Sequence, residues 1–256
     1  MNKLPVLISI PHGGTEIPEE LKERVGLTRL ELFDDSDACT REIYDLGDSV
    51  AEVITTDIAR AIVDVGRDSD DLPPSNPDGV VKTKTCYGRE VYKNGRQLTD
   101  ELVSEVLNRY YYPYHERIHL AVQRQDIRLA LDCHSMAAVG PEISPDQGKK
   151  RPGICLGNIN GESCSYDLVD RLAECFQQFF STEIITTNKP FAGGYITKKY
   201  GMNPLPWIQV ELNRGLYLSR PWFDTNSLKV DHTRLMELQS KFKEALIGFF
   251  ESWPEK

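Results

Sequence analysis

The sequence of 256 residues lacks the features that define several large classes of protein. Its six cysteines are scattered without a C-x-x-C pair, so we expect reduced, mostly buried thiols rather than a disulfide framework. No apolar run approaches the roughly 18 residues needed to span a bilayer. The short apolar run Leu4–Ile10 leads into Pro11-His12-Gly13-Gly14 and not into a signal-peptide cleavage site. The sequence therefore predicts a cytoplasmic protein with no membrane partner.

Positive charge is also scarce. The chain has 30 Lys and Arg against 39 Asp and Glu, a net charge of −9. Such a surface repels phosphate backbones, so we expect no nucleic-acid partner, although a local arginine cluster still suits a small anion. The oligomeric state is left open.

The hydrophobic pattern is typical of an α/β fold, because short apolar runs alternate with longer amphipathic segments. The length fits one large domain about as well as two small ones. We predict strands at residues 6–10, 61–65, 129–132, 153–156, 183–186 and 207–212, and helices at 37–56, 100–124, 165–180 and 233–253. Residues 68–84 and 139–152 are rich in Pro, Gly and Asp and predict long loops that wall an active site.

Three predicted strands end in polar residues suited to catalysis. One runs into His12, another into Asp132 and His134, and a third contains Glu211. In an open α/β sheet the carboxyl ends of the strands meet at one edge, where ligands bind. Two imidazoles and a carboxylate, with one position left for water, form a catalytic zinc site. A single histidine at a strand end is more often structural, but the joint pattern favours a shared metal ion, with Asp132 as a carboxylate that orients an imidazole.

Several other residues allow either a functional or a structural interpretation. His115 follows the aromatic run Tyr110–Tyr114 and suits either aromatic packing or the lining of a pocket. Glu211 and Arg214 suit either catalysis or a structural ion pair, and Gly193-Gly194-Tyr195 suits a tight turn or a pocket wall. Ser135 lacks the G-x-S-x-G context of a nucleophile and suits a supporting hydrogen bond.

Seven motifs in order resemble the N-formylglutamate amidohydrolase family, which is similar in turn to the zinc carboxypeptidases and the aspartoacylase/succinylglutamate desuccinylase group. The resemblance extends from residue 5 to about residue 217. The motifs are Ser9-x-Pro11-His12-x-Gly14-x-x-x-Pro18, Asp35-Ser36-Asp37, Val63-Asp64-x-x-Arg67, Pro113-Tyr114-His115, Asp132-x-His134-Ser135, Gly193-Gly194-Tyr195 and Gln209-x-Glu211-Leu212-Asn213-Arg214.

The resemblance implies a fold and a metal site. The fold is a three-layer, doubly wound mixed α/β sheet like that of the zinc carboxypeptidases, in one catalytic domain over residues 1–256. The cofactor is one divalent ion, expected to be Zn²⁺, bound by His12, His134 and a carboxylate. Asp37 is our first choice for that carboxylate, followed by Asp35 and then Glu16.

The resemblance also implies roles in catalysis and binding. Glu211 matches the carboxylate that activates water, and Arg67 matches an arginine that holds the substrate carboxylate or polarises the scissile carbonyl. The remaining residues expected to bind substrate are Arg214, Arg60, Gly194, Tyr195 and His115. Position 66 is Gly where the family commonly has Asn, which removes a hydrogen-bonding group near the substrate.

The expected partner is a small acidic acyl-amino acid, and the expected reaction is metal-dependent hydrolysis of its amide bond, as in N-formyl-L-glutamate plus water to formate and glutamate. Two other interpretations stay open. One is a carboxypeptidase-like or deacylase-type zinc hydrolase with a different amide substrate. The other is a non-catalytic binding protein that keeps the metal for stability.

Overall fold

The computed structural model describes residues 3–95 and 98–253. Its strands are β1 (Leu4–Ile10), β2 (Val50–Thr55), β3 (Leu129–Met136), β4 (Ile154–Gly157), β5 (Ile185–Thr187), β6 (Trp207–Asn213), β7 (Phe223–Asp224) and β8 (Lys229–Val230). Its α-helices are α1 (Arg29–Asp35), α2 (Thr40–Tyr44), α3 (Asp100–Val106), α4 (Tyr112–Ala121), α5 (Tyr166–Phe179), α6 (Tyr195–Tyr200) and α7 (His232–Ser252), and a π-helical segment, Leu107–Tyr111, joins α3 to α4. Short 3-10 turns occupy Glu19–Leu21, Gly47–Ser49, Lys93–Gly95, Ile159–Gly161 and Arg214–Leu216.

Six strands form one mixed sheet in the order β2-β1-β3-β6-β4-β5. The strands β2, β1, β3 and β6 are mutually parallel, whereas β4 runs antiparallel to β6 and parallel to β5. The strands β7 and β8 form a separate antiparallel pair. The carboxyl ends of β1, β3 and β6 therefore lie side by side at one edge of the sheet.

Helices cover both faces of the sheet. One hydrophobic core packs α2, α5 and α7 against Val6, Ile8 and Ile10 of β1. A second core packs α4, α6 and the segment 58–65 against the opposite face, which includes Leu7. This burial on both faces explains why the central strands are continuous apolar runs rather than alternating ones. The predicted three-layer, mixed α/β fold is confirmed.

Two predicted elements are wrong. The segment 61–65 is not a strand: it forms a turn in which Ile62 and Val63 donate to the carbonyl of Ala59, and its apolar side chains fill the second core. The helix predicted at 37–56 is interrupted. The helix α2 ends at Tyr44, Gly47 has a φ of +50°, and the chain then enters the edge strand β2.

Among residues 3–95 and 98–253, no helix is both long and apolar enough to cross a membrane. All six cysteines are free thiols, and four of them are buried.

Candidate active site

The alternation of side chains along the strands collects polar groups on one face of the sheet edge. In β6, Ile208, Val210 and Leu212 point into the first core, so Gln209 and Glu211 point to the other face. The same alternation in β3 places Asp132 and His134 on that face. Pairing between the strands sets Asp132 opposite Gln209 and His134 opposite Glu211. The strand pattern alone therefore builds most of a polar cluster inside an apolar sheet.

Three donor atoms converge beside this cluster. The Nδ1 atoms of His12 and His134 are 3.2 Å apart, and each lies 3.1 Å from Oδ2 of Asp37. His12 lies just beyond the end of β1, and the backbone N–H of Asp37 donates to the His12 carbonyl at 3.0 Å, which fixes the start of the α2 segment against β1. All three side chains are buried.

This triangle fits a metal ion. Ligand atoms around a tetrahedral ion with bonds of 2.0–2.1 Å are separated by about 3.4 Å, close to the three distances observed. These three side chains form a His–Asp–His group whose ligand atoms all lie within 4.8 Å of one another. Two imidazole nitrogens and one carboxylate oxygen are the donor set that leaves a fourth position open in catalytic zinc sites.

Each histidine is oriented by a carboxylate on its other ring nitrogen. Nε2 of His12 lies 2.7 Å from Oδ1 of Asp64, and Nε2 of His134 lies 3.2 Å from Oδ1 of Asp132. Because a carboxylate accepts the proton of that nitrogen, it leaves Nδ1 free to bind a metal. Asp132 was predicted for this role, whereas Asp64 was not.

The electrostatic surroundings favour a cation. Burial alone would lower the pKa of His134, but Asp132 and Asp37 outweigh it and hold that pKa well above its ordinary value. Burial alone would raise the pKa of Asp37, yet the hydrogen bonds and charges of His12 and His134 hold it well below its usual range. The raised pKa of His134 shows that the carboxylates around it favour a positive charge, and the lowered pKa of Asp37 keeps that carboxyl ionised; both conditions favour a bound cation.

The second oxygen of Asp37 is held by Arg214. Nη2 of Arg214 lies 2.9 Å from Oδ1 of Asp37 and also donates to the carbonyl of Ser36 at 2.7 Å. The hydroxyl of Ser135 donates to the same Oδ1 at 3.3 Å and accepts from Nε of Arg214 at 2.9 Å. Asp37 is therefore fixed with only Oδ2 facing the two histidines.

Glu211 is buried beside this triangle. Burial raises the pKa of Glu211 to about 7, and the charge of Asp37 acts in the same direction. The Gln209 amide donates to Oε1 of Glu211 at 3.0 Å, and its carbonyl oxygen accepts from the backbone N–H of Gly194 at 2.5 Å. Gln209 therefore ties this carboxyl to the turn before α6.

A second group of charges lies behind His12. Nε of Arg60 donates to Oδ2 of Asp64 at 3.0 Å. The fully buried Nζ of Lys82 lies 3.6 Å from the same oxygen, 3.3 Å from Asp35 and 2.6 Å from Asp78. Burial alone would raise the pKa of Asp64, but His12, together with Arg60 and Lys82, holds it well below its usual range.

The site opens into a cavity of about 770 Å³. Its floor contains the three candidate metal ligands and Glu211. Arg67 projects into it with about a third of its side chain exposed, and its Nη2 donates to Asp78 at 3.1 Å. The backbone near Arg67 is supported by the aromatic segment, because the hydroxyl of Tyr111 donates to the Arg67 carbonyl at 2.8 Å.

The structure brings most of the predicted site residues together. The cavity lining includes His12, Asp37, Arg60, Arg67, His134, Gly194, Tyr195, Glu211 and Arg214. The guanidinium groups of Arg60, Arg67 and Arg214 all contact internal carboxylates, so their binding to substrate stays a prediction.

Three other predicted residues lie elsewhere. His115 is not among the residues that line the cavity: its Nε2 donates to the Val65 carbonyl at 3.0 Å, and its Nδ1 accepts from the Tyr200 hydroxyl at 2.9 Å. Of the alternative metal ligands, Asp35 accepts from Lys82 and from the Cys86 backbone N–H. Glu16 is exposed and lines a different cavity.

Asp64, Gln209 and Lys82 are the supporting residues that sequence reasoning missed. Asp64 and Gln209 lie inside motifs of the resemblance, so their motif positions were the available signal. Lys82 lies in a predicted loop, and no local pattern marks a loop lysine as buried.

Comparisons with known proteins identify the family and support the fold. The family described as N-formylglutamate amidohydrolase matches residues 4–218. The N-formylglutamate deformylase of Pseudomonas putida is 27% identical over 226 residues, which cover 84% of this chain and 82% of that protein. The deformylase of the same name from Pseudomonas aeruginosa is 28% identical, with 84% and 83% covered. The crystal structure of an N-formylglutamate amidohydrolase from Ralstonia eutropha JMP134 has a TM-score of 0.78 at 21% identity, covering 97% of this chain and 94% of that one, and shows the same fold. The chain belongs to the N-formylglutamate amidohydrolase family.

Proposed function

We propose that this chain is a metal-dependent amidohydrolase that cleaves the amide bond of an N-acyl amino acid. The reference reaction is N-formyl-L-glutamate plus water to formate and L-glutamate, because two curated relatives are named for it. The observation that carries the proposal is the triangle of His12, His134 and Asp37, with Glu211 beside it on the floor of the cavity.

The cation would be held by His12, His134 and Asp37, and this donor set suits Zn²⁺. When bound, such an ion supplies Lewis acidity, which lowers the pKa of water from 15.7 towards about 7 and polarises a carbonyl. The protein supplies the orientation of the ligands, through Asp64 and Asp132.

Glu211 acts as the general base. It takes a proton from water as the water oxygen forms a bond to the amide carbon, and it then passes that proton to the leaving nitrogen as the C–N bond breaks. A buried carboxyl with a pKa raised to about 7 can both accept and release a proton near neutral pH.

Arg67 binds the negative charge of the substrate. Its guanidinium is about a third exposed and lines the cavity. There it would exchange its contacts with Asp64, Asp71 and Asp78 for the substrate carboxylate, or stabilise charge on the carbonyl oxygen. Gly194 and Tyr195 form the adjacent wall of the cavity.

Two measurements test the proposal. Elemental analysis of purified protein is expected to give one divalent ion per chain, and a His12→Ala/His134→Ala double variant is expected to lose it. Absence of a stoichiometric ion from the wild-type protein would contradict the metal site.

The second measurement is turnover. A panel of N-formyl, N-acetyl and N-succinyl amino acids tests the substrate class, and Glu211→Gln is expected to lower kcat about 10²- to 10⁴-fold without loss of the metal. A wild-type protein that binds these compounds but hydrolyses none of them is a binding protein, and the proposal is then wrong.

A further inference from the structure

The active-site cavity has two chemically different sides. One side comes from residues 34–87 and carries charged groups, including Asp34, Arg67, Asp68 and Asp71. The other side comes from residues 136–145 and 190–192 and is mainly apolar: Met136, Ala137, Pro141, Ile143, Phe191 and Ala192. The proposed catalytic groups lie on the floor between them, so a bound substrate meets both kinds of surface.

The apolar side is held in place by Arg151. Its guanidinium makes a bidentate ion pair with Asp146, with both N–O distances at 2.8 Å, and lies 4.9 Å from the centre of the Phe191 ring. Its backbone N–H donates to the carbonyl of Ala138 at 3.0 Å. These contacts join the 138–151 loop to the 190–192 segment as one wall.

The same pairing removes the positive charge that this side could offer. Among the described lining residues between 136 and 192, the cation is Arg151. Its side chain is only 5% exposed, and its guanidinium is paired with Asp146. A second carboxylate on the substrate would therefore have no unpaired cation on this wall, whereas an apolar group needs no hydrogen bond or ion pair there.

One large apolar side chain on this wall is mostly exposed. Ile143 lines the cavity and is 65% exposed, and large apolar residues exposed in a concave site are typical of ligand-binding surfaces. The cavity volume of about 770 Å³ lies in the upper part of the range of roughly 300–1,000 Å³ that holds drug-sized ligands, which exceeds the needs of a formyl group and a short side chain.

Gly66 packs its backbone directly against the neighbouring pair of His12 and Asp64. A Cβ atom at this position would lie 2.8 Å from Nε2 of His12, so no larger residue fits without displacing that imidazole or Asp64. The absence of a side chain therefore lets the backbone at residue 66 line the cavity beside His12.

We propose that the wall of Met136, Ala137, Pro141, Ile143, Phe191 and Ala192 is a subsite for an apolar side chain of the substrate. The protein then hydrolyses N-formyl amino acids with aliphatic side chains, such as N-formyl-L-leucine, in addition to N-formyl-L-glutamate. The chemistry is unchanged: water forms the C–O bond, the C–N bond breaks, and the nitrogen takes the proton, giving formate and the free amino acid. This inference rests on the proposed function.

The test compares three substrates with the metal-loaded wild-type protein. N-formylglycine has no side chain and gives the reference value of kcat/KM. An apolar subsite predicts that N-formyl-L-leucine exceeds N-formylglycine by about tenfold or more, since even one methylene in an apolar pocket is worth roughly 10- to 200-fold.

A variant locates the effect on the wall. Ile143→Ser is expected to lower the ratio of kcat/KM for N-formyl-L-leucine to that for N-formylglycine about tenfold, chiefly through KM. The matched control is Ile184→Ser, because Ile184 is 70% exposed and lies outside the cavity lining; this variant is expected to keep the wild-type ratio.

The outcomes separate the two proposals. Turnover of N-formyl-L-glutamate with N-formyl-L-leucine no better than N-formylglycine overturns the apolar subsite and leaves the proposed function standing. A normal leucine preference that Ile143→Ser does not change overturns this location for the subsite. Failure to hydrolyse any N-formyl amino acid overturns both proposals.

Discussion

Protonation of His115 is expected to destabilise the fold in mildly acidic solution. The ring is buried, and both of its nitrogens are satisfied in the neutral form: Nε2 donates to the Val65 carbonyl and Nδ1 accepts from the Tyr200 hydroxyl. Burial, with the charge of Lys199, lowers the pKa of His115 to about 4 from its ordinary value of 6.5. A proton on Nδ1 would replace that acceptor with a donor.

The sign and size of the effect follow from these two pKa values. Above pH 6.5 the imidazole is neutral in both the folded and the unfolded chain and contributes nothing to the pH dependence. Below pH 6.5 the unfolded chain takes up a proton that the folded chain refuses, so the free energy of unfolding falls as the pH falls. The loss is about 2 kcal/mol at about pH 5 and approaches about 3 kcal/mol below the folded pKa of about 4.

The assay is urea denaturation of the wild type and of His115→Gln at about pH 7 and about pH 5. The variant is expected to be less stable at both pH values, because it loses packing, but its stability should fall by about 2 kcal/mol less than that of the wild type between them. The matched control is His119→Gln, since His119 is exposed on the same helix, and it should keep the wild-type pH dependence. If His115→Gln and wild type lose the same free energy within about 0.5 kcal/mol, the reasoning is refuted.

Three further predictions concern the groups that support the site. Asp64→Asn weakens the hydrogen-bond acceptor for Nε2 of His12 and should lower metal affinity about 10- to 100-fold in a chelator competition titration. Unchanged affinity would contradict the role of Asp64 in orienting His12. Lys82→Met leaves buried carboxylates unpaired and should lower the free energy of unfolding, measured by urea denaturation, by about 3–5 kcal/mol. Lys84→Met removes an exposed ion pair and should lower it by less than about 1 kcal/mol. Equal losses in the two variants would contradict a stabilising role for Lys82. Gln209→Leu removes the donor to Glu211 and should lower kcat about tenfold or more with the metal retained, and a change in KM alone would contradict it.

The strands predicted correctly from the sequence are those whose apolar side chains are buried and whose backbone is also hydrogen-bonded within the sheet. The central strands β1, β3 and β6 are buried on both faces and paired on both edges, so a continuous apolar run reports both properties. The segment 61–65 is equally apolar and equally buried, but its backbone turns back on Ala59 instead of joining the sheet. Hydrophobicity reports burial, and it does not report which backbone partner a segment finds.

The strand β2 was missed for a related reason. Apolar residues at positions 50, 51, 53 and 54 fit a helical repeat as well as a strand. The strand lies at the edge of the sheet, with β1 as its neighbour in the sheet order, and three of its six residues are only partly buried. Its pairing with β1 depends on tertiary contacts, so the local sequence does not decide between the two structures.

The limits on predicting the site have the same origin. His12, His134 and Glu211 lie at or near strand ends, where topology alone brings distant residues together. Asp64 reaches His12 from a loop whose path is fixed by the second core and by the contacts of Tyr111 and His115 with the backbone of residues 65–67. No spacing rule predicts where such a loop folds back, and here the family motif was the available guide.

The internal cations explain how a chain with a net charge of −9 can bind an acidic substrate. Arg214 neutralises one oxygen of Asp37, and Arg60 and Lys82 neutralise Asp64, so two of the three carboxylates that hold and orient the candidate metal ligands have cation partners. With a divalent cation bound, two neutral imidazoles and one such carboxylate would give this group of ligands a net positive charge. Because field lines concentrate in a cleft, this local potential outweighs the more distant acidic surface, which salt screens beyond about 8–10 Å. The overall negative charge of the chain is therefore compatible with binding of a small carboxylate at this floor.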